Sequence, residues 1–317
     1  MDQPNNLGLT GIDHLMIRVA ELDRAARMFA RLGFTVAPPR RQIDPAALAT
    51  AAGANPATTP APLIDNRLIL FTPPADSPGA NYLELMSIVD PLRMPPAVTQ
   101  MLSFLLDSEG PKSIVCHTND LDHCREAMLA AGVEIGGPVE INTGWLDPDS
   151  SELIPVRARP AAPVFGQIPF QINPYETDTL SSYQHPRWTA HPNGARHLLG
   201  LTGVTHDLAA HASYMATDVF GVDVDWRGQH EALMWFGGVF LRVVTPDGFA
   251  QRYPTLDYSR ERVPPFVTAA TIAVGDLDVT RRFLRTNQIR HAVTATGIGV
   301  PREYAANTLL EFVPDSP

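Results

Sequence analysis

The chain contains little that marks a secreted, membrane-bound or nucleic-acid-binding protein. It has only two cysteines in 317 residues, which is too few for a disulfide framework and predicts a reducing, cytoplasmic setting. No apolar run reaches the roughly 18 residues that a membrane span requires, and the first residues lack the features of a signal peptide. The formal net charge of -10 argues against a polyanionic partner. We therefore expect a small-molecule substrate or ligand, and neither nucleic acid nor a membrane.

Other familiar signals are also missing. The chain has no glycine-rich phosphate loop, no nucleophile elbow and no Cys-x-x-Cys pair, which argues against the enzyme classes that those motifs mark. A single lysine, Lys112, accompanies 23 arginines. This bias is typical of a GC-rich, bacterial genome and carries no information about chemistry.

One short plan recurs four times in the sequence. Each copy predicts a strand, an acidic N-cap and an amphipathic helix, and the copies occupy residues 12–34, 113–133, 197–221 and 269–289. Two copies for each domain predict an N-terminal domain over residues 1–180, a linker over 181–195 and a C-terminal domain over 196–317. A proline- and alanine-rich stretch, residues 38–62, is predicted to be a long mobile insertion.

Side-chain alternation in the first copy assigns two faces to its strand. Leu15, Ile17 and Val19 lie on one face, which the following helix can cover. The other face is left to line a cavity, and it carries Ile12, His14, Met16 and Arg18.

A later predicted strand, residues 81–86, carries an isolated acid between apolar neighbours. Tyr82, Glu84 and Met86 share one of its faces, and a half-buried carboxylate is costly without a partner. That partner is either a cavity ligand or, in a purely structural role, the guanidinium of Arg18 or Arg67.

These residues resemble the vicinal oxygen chelate superfamily, which includes glyoxalase I, extradiol dioxygenases and bleomycin-binding proteins. The matching segments are Gly11-Ile-Asp-His14-Leu, Asn66-Arg67-Leu68-Ile69 and Asn81-Tyr-Leu-Glu84-Leu. The segments around Tyr183–Trp188 and His191–Ala195 are similar to those of bacterial glyoxalase-like proteins of this length. The resemblance implies an α+β fold in which four βαβββ units pair into two cup-shaped half-barrel domains.

The resemblance also implies a site in the first cup. A divalent cation (iron, manganese, zinc or nickel) would be held by His14, Glu84 and Gln171, and Glu84 would also act in catalysis. The substrate would contact the side chains of Met16, Arg18, Arg67, Phe71 and Tyr82. Four positions depart from the pattern of relatives, because Gln42, Ser113, Ile172 and Asn173 stand where histidines are expected.

The second pair of copies has fewer candidate ligands. Ala269 replaces the histidine of the fourth copy, Arg242 stands where the acid of the third copy is expected, and Glu311 matches Glu84 in register. We expect a degenerate half that supports the first by packing, with His197 and Glu311 as a secondary candidate pair.

Two functions of different classes remain open from the sequence. The first is a metal-dependent lyase or isomerase acting on vicinal oxygens or an enolisable carbonyl, which ranks above a ring-cleaving dioxygenase. The alternative is a protein that binds an antibiotic or another aromatic molecule without catalysis and without metal. The segment around Trp188 is interpreted as a linker rather than a lid, and a homodimer is left open.

Overall fold

The structure is a computed structural model, and it describes residues 7–38, 40–41, 64–89, 108–146, 153–258 and 262–315. The insertion predicted over residues 38–62 lies almost wholly outside these ranges. No helix among the described residues is both long enough and apolar enough to cross a membrane.

The first half of the chain forms one eight-stranded sheet with two helices on one side. Its helices are α1 (Leu22–Arg31) and α2 (Leu121–Ala130). Its strands are β1 (Leu9–Arg18), β2 (Arg40–Arg41), β3 (Ile64–Leu70), β4 (Tyr82–Ile88), β5 (Gly110–Thr118), β6 (Ile141–Leu146), β7 (Leu153–Pro160) and β8 (Ile172–Thr177). A 3₁₀ turn (Leu180–Tyr183) and the short helix α3 (Pro186–Thr189) then lead to the second half.

The second half repeats this plan. Its helices are α4 (Leu208–Tyr214), which continues as a π-helix (Met215–Phe220), α5 (Pro246–Arg252) and α6 (Leu277–Thr286), and a 3₁₀ turn follows at Arg302–Tyr304. Its strands are β9 (Ala195–Val204), β10 (Asp225–Trp226), β11 (Glu231–Phe236), β12 (Val239–Val244), β13 (Phe266–Val274), β14 (Ala292–Val293), β15 (Ile298–Val300) and β16 (Leu309–Pro314).

The two sheets have the same strand order, which confirms the predicted fold of four βαβββ units in two cups. The orders are β2-β3-β4-β1-β5-β8-β7-β6 and β10-β11-β12-β9-β13-β16-β15-β14. In each unit the first strand pairs in parallel with the last, and the two units of a sheet meet at an antiparallel pair. The predicted domain boundaries themselves stay a prediction.

The first helix shows how the local sequence sets the packing. Ala25, Ala26 and Phe29 of α1 are buried against the sheet. Gly33 ends the helical segment with φ at +89°, a left-handed conformation that favours glycine. A Cβ on Gly33 would also lie 2.7 Å from Phe283 of the second half, so this position is a close contact between the halves.

The helix-facing sides of the two sheets contribute to one continuous apolar core. Phe34 stacks on Phe312 with ring centroids 5.9 Å apart. Asn81 joins the halves by hydrogen bonds in both directions with the backbone of Leu198, at 3.0 and 2.7 Å. Burial of aromatic area across this contact ties the two cups together.

A β-bulge in β1 corrects the predicted alternation. Ile12 lies opposite Cys116 and His14 lies opposite Val115, so Asp13 is an extra residue on β1. Ile12 consequently packs in the core with Leu15 and is fully buried, instead of facing the cavity as the strict alternation predicts. His14 keeps the predicted face.

Candidate functional site

His14 and Glu84 converge on the concave face of the first sheet. Strands β1 and β4 pair in parallel, with His14 opposite Tyr82 and Met16 opposite Glu84. This register places the imidazole Nε2 of His14 3.5 Å from the Oε2 of Glu84. Both side chains are buried, with 2% and 5% of their surface exposed.

The other ring nitrogen of His14 is held by its neighbour in sequence. The Nδ1 of His14 lies 2.7 Å from the Oδ1 of Asp13, and it must carry the proton because a carboxylate only accepts. Burial alone would lower the pKa of His14, but the hydrogen bonds to Asp13 and Glu84 raise it above its ordinary value. The pair of acids thus favours a positive charge at the imidazole.

Glu84 is oriented by Asn66, which lies in one of the segments that resemble the superfamily but was assigned no role from the sequence. Asn66 of β3 donates from Nδ2 to the Oε1 of Glu84 at 2.5 Å, and Asn66 is fully buried. The Oε2 of Glu84 is thereby directed toward His14. Side-chain alternation in the sequence places Asn66 on the same strand face as Leu68, so its position on the site side of β3 could have been predicted.

Two tyrosines pack against the imidazole of His14, and a third tyrosine packs behind them. The ring of Tyr82 stacks on the imidazole, with centroids 3.9 Å apart, and Tyr175 of β8 meets it edge-on at 5.5 Å. Tyr183 stacks on Tyr82 at 5.4 Å, and its hydroxyl lies 2.6 Å from that of Tyr175. Aromatic packing and burial keep the ring of His14 in one orientation.

The segment between the sheets covers this side of the first cup. Tyr183 and Trp188 pack with Trp145 of β6 and with Leu68 and Leu70 of β3 in one buried cluster. The sequence favoured a linker in this region. The structure places part of it directly over the candidate site.

Besides Tyr82, which stacks on His14, two of the predicted substrate-binding residues remain on the cavity side. Met16 lies beside Glu84 in register and is 8% exposed. Arg18 ends β1, and its Nε is buried without a hydrogen-bond partner in the described part of the chain. An unsatisfied buried donor is costly, so Arg18 is suited to an anionic group of a ligand.

The other two, Arg67 and Phe71, lie on the opposite side of the sheet, which corrects their predicted role. Arg67 donates from Nη2 to Asp23 of α1 at 2.5 Å, so it is the partner of a helix carboxylate rather than of Glu84. Phe71 packs in the core against Phe34. The reason is the register of β3 with β4, which places Leu68 opposite Glu84 and leaves the odd-numbered residues on the helix side.

Gln171 is buried beside the start of β8. Its Nε2 donates to the carbonyl of Pro163 and to the Oδ1 of Asn173, both at 3.1 Å. Its Oε1 is buried and has no hydrogen-bond partner among the described residues. That orphaned oxygen is compatible with the predicted role of Gln171 as a ligand, which stays a prediction.

The strand register adds Asn173 as a second candidate at this place. Glu84 lies opposite Met16, and Asn173 lies opposite Val115. Val115 takes the place of Met16 when the two units are aligned on their helices. Asn173 therefore occupies the position equivalent to Glu84. The sequence alone does not reveal this equivalence, because it depends on the register between β5 and β8.

The spacing of the donor atoms of His14 and Glu84 matches that of two ligands of one divalent cation. Two donors at about 2.1 Å from one tetrahedral ion lie about 3.4 Å apart, and the two atoms of His14 and Glu84 are 3.5 Å apart. A carboxylate on the far nitrogen of a ligating histidine, as Asp13 provides, is the usual outer support of such a site. Within the described ranges no group of three or more His, Cys, Asp and Glu residues could hold an ion. An amide oxygen of Gln171 or Asn173 would therefore have to complete it.

The equivalent positions of the second sheet carry different chemistry. Gly200 lies opposite Phe240, as His14 lies opposite Tyr82, and Arg242 takes the place of Glu84. A Cβ on Gly200 would lie 2.1 Å from the ring of Phe240. The aromatic ring thus fills the space that an imidazole would need.

Glu311 of the second sheet is fully partnered within the protein. Its Oε1 accepts from the hydroxyls of Thr294 and Thr296 at 2.6 and 2.7 Å, and its Oε2 accepts from Arg252 and Tyr253 at 3.2 and 3.0 Å. Burial alone would raise the pKa of Glu311, but Arg252 and the threonine hydroxyls lower it below its ordinary value. This carboxylate is an internal anion rather than an open ligand.

The secondary candidate pair is not brought together. His197 faces the first half, where its Nδ1 lies 2.5 Å from the carbonyl oxygen of Thr72 and its Nε2 lies 3.6 Å from Asp315. Glu311 lies within the Thr294, Arg252 and Tyr253 network described above. The prediction for His197 with Glu311 is therefore wrong, because strand β9 turns His197 toward the other sheet.

Comparison with protein families gives a match to the glyoxalase-like domain over residues 12–219. The chain belongs to this family. The matched range holds the first two units with the first strand and most of the helical segment of the third. It includes every residue of the candidate site, and the family lies within the vicinal oxygen chelate superfamily. None of the curated proteins matches the chain in sequence.

Solved structures agree on the fold. A hypothetical protein from Staphylococcus aureus has a TM-score of 0.59 at 10% identity, with 96% of this chain and 98% of the other covered. A variant of homoprotocatechuate 2,3-dioxygenase from Brevibacterium fuscum, in complex with HPCA, has a TM-score of 0.56 at 10% identity, with 99% and 72% covered. At such identities the likeness concerns the architecture and leaves the reaction open.

Proposed function

We propose that the glyoxalase-like protein is a metal-dependent enzyme whose site lies in the first cup. His14 and Glu84 would hold a divalent cation, either iron, manganese, zinc or nickel, and an amide oxygen of Gln171 or Asn173 would complete its ligands. The substrate would be a small organic molecule with vicinal oxygens or an enolisable carbonyl. The observation that carries the proposal is the 3.5 Å approach of two buried donor atoms, each on a side chain fixed by a partner of its own.

Each residue of the site has a defined task in this proposal. A bound cation would polarise the oxygens of the substrate. Glu84 would take a proton from the carbon beside the carbonyl and return it, while Asn66 holds its other oxygen. Arg18 would bind an anionic substituent through its unpartnered Nε, and the rings of Tyr82 and Tyr175 would exclude water.

We favour a lyase or isomerase step through an enolate over ring cleavage. Ring-cleaving relatives use two histidines and one carboxylate, and the position of the second histidine is Ser113 in this chain. Ser113 is fully buried and donates to the carbonyl of Gln171 at 3.1 Å. Its hydroxyl is thus occupied by the backbone.

Metal analysis tests the first part of the proposal. Protein purified without chelator should contain close to one iron, manganese, zinc or nickel ion per chain, and His14→Ala and Glu84→Gln should each lose it. The matched controls are His123→Ala and Glu126→Gln, because both residues are exposed on α2. Retention of the ion in both site variants, or its absence from the unaltered protein after incubation with each metal, would contradict the metal site.

The class of reaction needs a separate assay. The metal-loaded protein should exchange the carbon-bound hydrogens of an enolisable carbonyl compound, such as pyruvate or hydroxyacetone, for deuterium in D₂O, as followed by proton NMR. Glu84→Gln should abolish the exchange. Oxygen uptake with catechol, without any exchange, would assign ring cleavage instead.

The alternative function is a non-catalytic binding protein, and one observation favours it. Ser113 and Asn173 stand where relatives carry histidines, and the first cup has instead a buried aromatic cluster of Tyr82, Trp145, Tyr183 and Trp188, against which a flat aromatic ligand would pack once admitted. Metal-free protein whose thermal stability is unchanged by added metals, but raised by an aromatic antibiotic, would support this function. A homodimer stays a prediction that light scattering would test.

A further inference from the structure

We propose that Asp13 is a positioning residue that fixes the tautomer of His14 and so keeps the Nε2 lone pair free for a cation. The inference deepens the proposed function, because it concerns the same site. It assigns a task to a residue that touches neither the cation nor the substrate in that proposal.

Asp13 contacts the imidazole of His14 directly. Asp13 and His14 are 0% and 2% exposed, and the Oδ1 of Asp13 lies 2.7 Å from the Nδ1 of His14. A carboxylate has no proton to give, so the ring proton resides on Nδ1. The neutral ring then presents a lone pair at Nε2, the atom that faces Glu84 at 3.5 Å.

Asp13 is itself held in place. Its Oδ2 accepts the backbone N–H of Ala80 at 2.7 Å. A Cβ on Gly79 would lie 2.4 Å from this same oxygen, so only glycine permits the approach. Both carboxylate oxygens of Asp13 are therefore used, one by His14 and the other by Ala80.

The task of Asp13 differs from simple packing. The plane of the His14 ring is also held by the stacked ring of Tyr82 at 3.9 Å, so the ring keeps its place without the acid. In Asp13→Asn the amide oxygen would still accept from Ala80. Its NH₂ group would then donate to Nδ1 of His14 and move the ring proton to Nε2, which inverts the tautomer without removing the residue.

Heteronuclear NMR of protein labelled with ¹⁵N-histidine measures this inversion directly. At alkaline pH, beyond the point where the ¹⁵N shifts of His14 stop changing with pH, its signals are assigned by their absence from His14→Gln. We expect the proton on Nδ1 in the unaltered protein and on Nε2 in Asp13→Asn. The same protonation pattern in both proteins would overturn the proposal.

Zinc affinity by calorimetry gives the second readout. Asp13→Asn should bind Zn²⁺ about 10–100-fold more weakly than the unaltered protein. Asp23→Asn is the matched control, because Asp23 is an exposed acid on α1 that pairs with Arg67, and it should bind as before. Equal affinities of Asp13→Asn and the unaltered protein would contradict the positioning role.

The two proposals fail in different ways. An unaltered protein that binds no zinc contradicts the metal site, whereas the NMR measurement still decides the role of Asp13. If Asp13→Asn does not fold, Gly79→Ala replaces it, because the added methyl displaces the same carboxylate oxygen. Gly79→Ala should then weaken zinc binding, and unchanged binding would count against Asp13.

Discussion

The two cups share one strand order, yet their buried carboxylates have different partners. In the first, the acid Glu84 faces an imidazole across 3.5 Å, and the arrangement is suited to an added cation. In the second, Arg242 stands in place of the acid, and it donates from Nε to Glu231 at 3.2 Å and lies 3.9 Å from Glu311. The second cup thus supplies its own cation from the chain.

The same strand order thus holds a buried acid beside an imidazole in one cup and a buried acid beside arginines in the other. A buried carboxylate needs a positive partner. A guanidinium attached to the neighbouring strand meets that need permanently, whereas a metal would have to be acquired. The two halves should therefore respond differently to the same kind of substitution.

The largest expected effect is on stability, from Glu311→Gln. Loss of this carboxylate leaves the buried guanidinium of Arg252 without its main partner, which costs about 3–5 kcal/mol of unfolding free energy. Glu84→Gln should cost less than about 1 kcal/mol in metal-free protein, because the amide oxygen of the glutamine can still accept the hydrogen bond from Asn66. Urea unfolding of both variants measures the contrast. Equal losses would remove the distinction between the cups.

The second expected effect concerns the space taken by Phe240. Gly200→Ala should lower the unfolding free energy by about 1–3 kcal/mol, because the new methyl group overlaps the Phe240 ring. The variant Phe240→Leu, combined with Gly200→Ala, should recover part of the loss. A double-mutant cycle in urea tests this, and strict additivity of the two changes would contradict the steric account.

The third expected effect is a pH dependence of stability that arises from His191, in the segment that joins the cups. His191 accepts from Thr35 N–H at 3.0 Å and bonds the Leu70 carbonyl at 2.9 Å, and burial lowers its pKa to about 4. Its folded pKa lies below the unfolded value of 6.5. The unfolded chain therefore binds the proton first, and stability falls as the pH drops from 6.5 toward 4.

Partial exposure of His191 reduces this effect to about 1–2 kcal/mol. The variant His191→Gln keeps a donor and an acceptor but does not titrate, so its stability should fall less over the same range. Urea unfolding at several pH values compares the two. Parallel curves would show that His191 is protonated equally in both states.

The smallest expected effect tests the cover of the first cup. Tyr175→Phe and Tyr183→Phe each remove one side of the hydroxyl pair at 2.6 Å, and each should cost about 0.5–1.5 kcal/mol. The double variant should cost less than the sum. A coupling energy near zero in urea unfolding would mean that the pair does not stabilise the cover.

Alternation predicted that His14 and Glu84 lie on the strand faces away from the helices, and the resemblance to the vicinal oxygen chelate superfamily predicted that the two side chains meet. The same alternation misplaced Ile12, since an extra residue in a strand leaves no mark in an apolar pattern. Arg67 and Phe71 were misplaced because their strand is apolar on both faces from Leu68 onward. Only its pairing with β4 decides which face is which.

The remaining site residues come from contacts between distant parts of the chain. Tyr183 reaches Tyr82 across about a hundred positions, and no periodicity within either segment predicts such a contact. Asn173 could have been found from the spacing of the second unit once the partner of Val115 was known. Local sequence patterns thus predict on which face of a strand a residue lies, whereas strand register and long-range packing decide which residues it contacts.

The bulge in β1 adds a residue without disturbing the side-chain alternation that follows it. Ile12 points to the core, and His14, Leu15 and Met16 then alternate as in an ordinary strand, with Asp13 inserted between the first two. The same register shift recurs in β5, β9 and β13, at Lys112, Leu199 and Thr268. The extra residue therefore belongs to the repeated unit, and the first copy differs in placing an acid there, next to its imidazole.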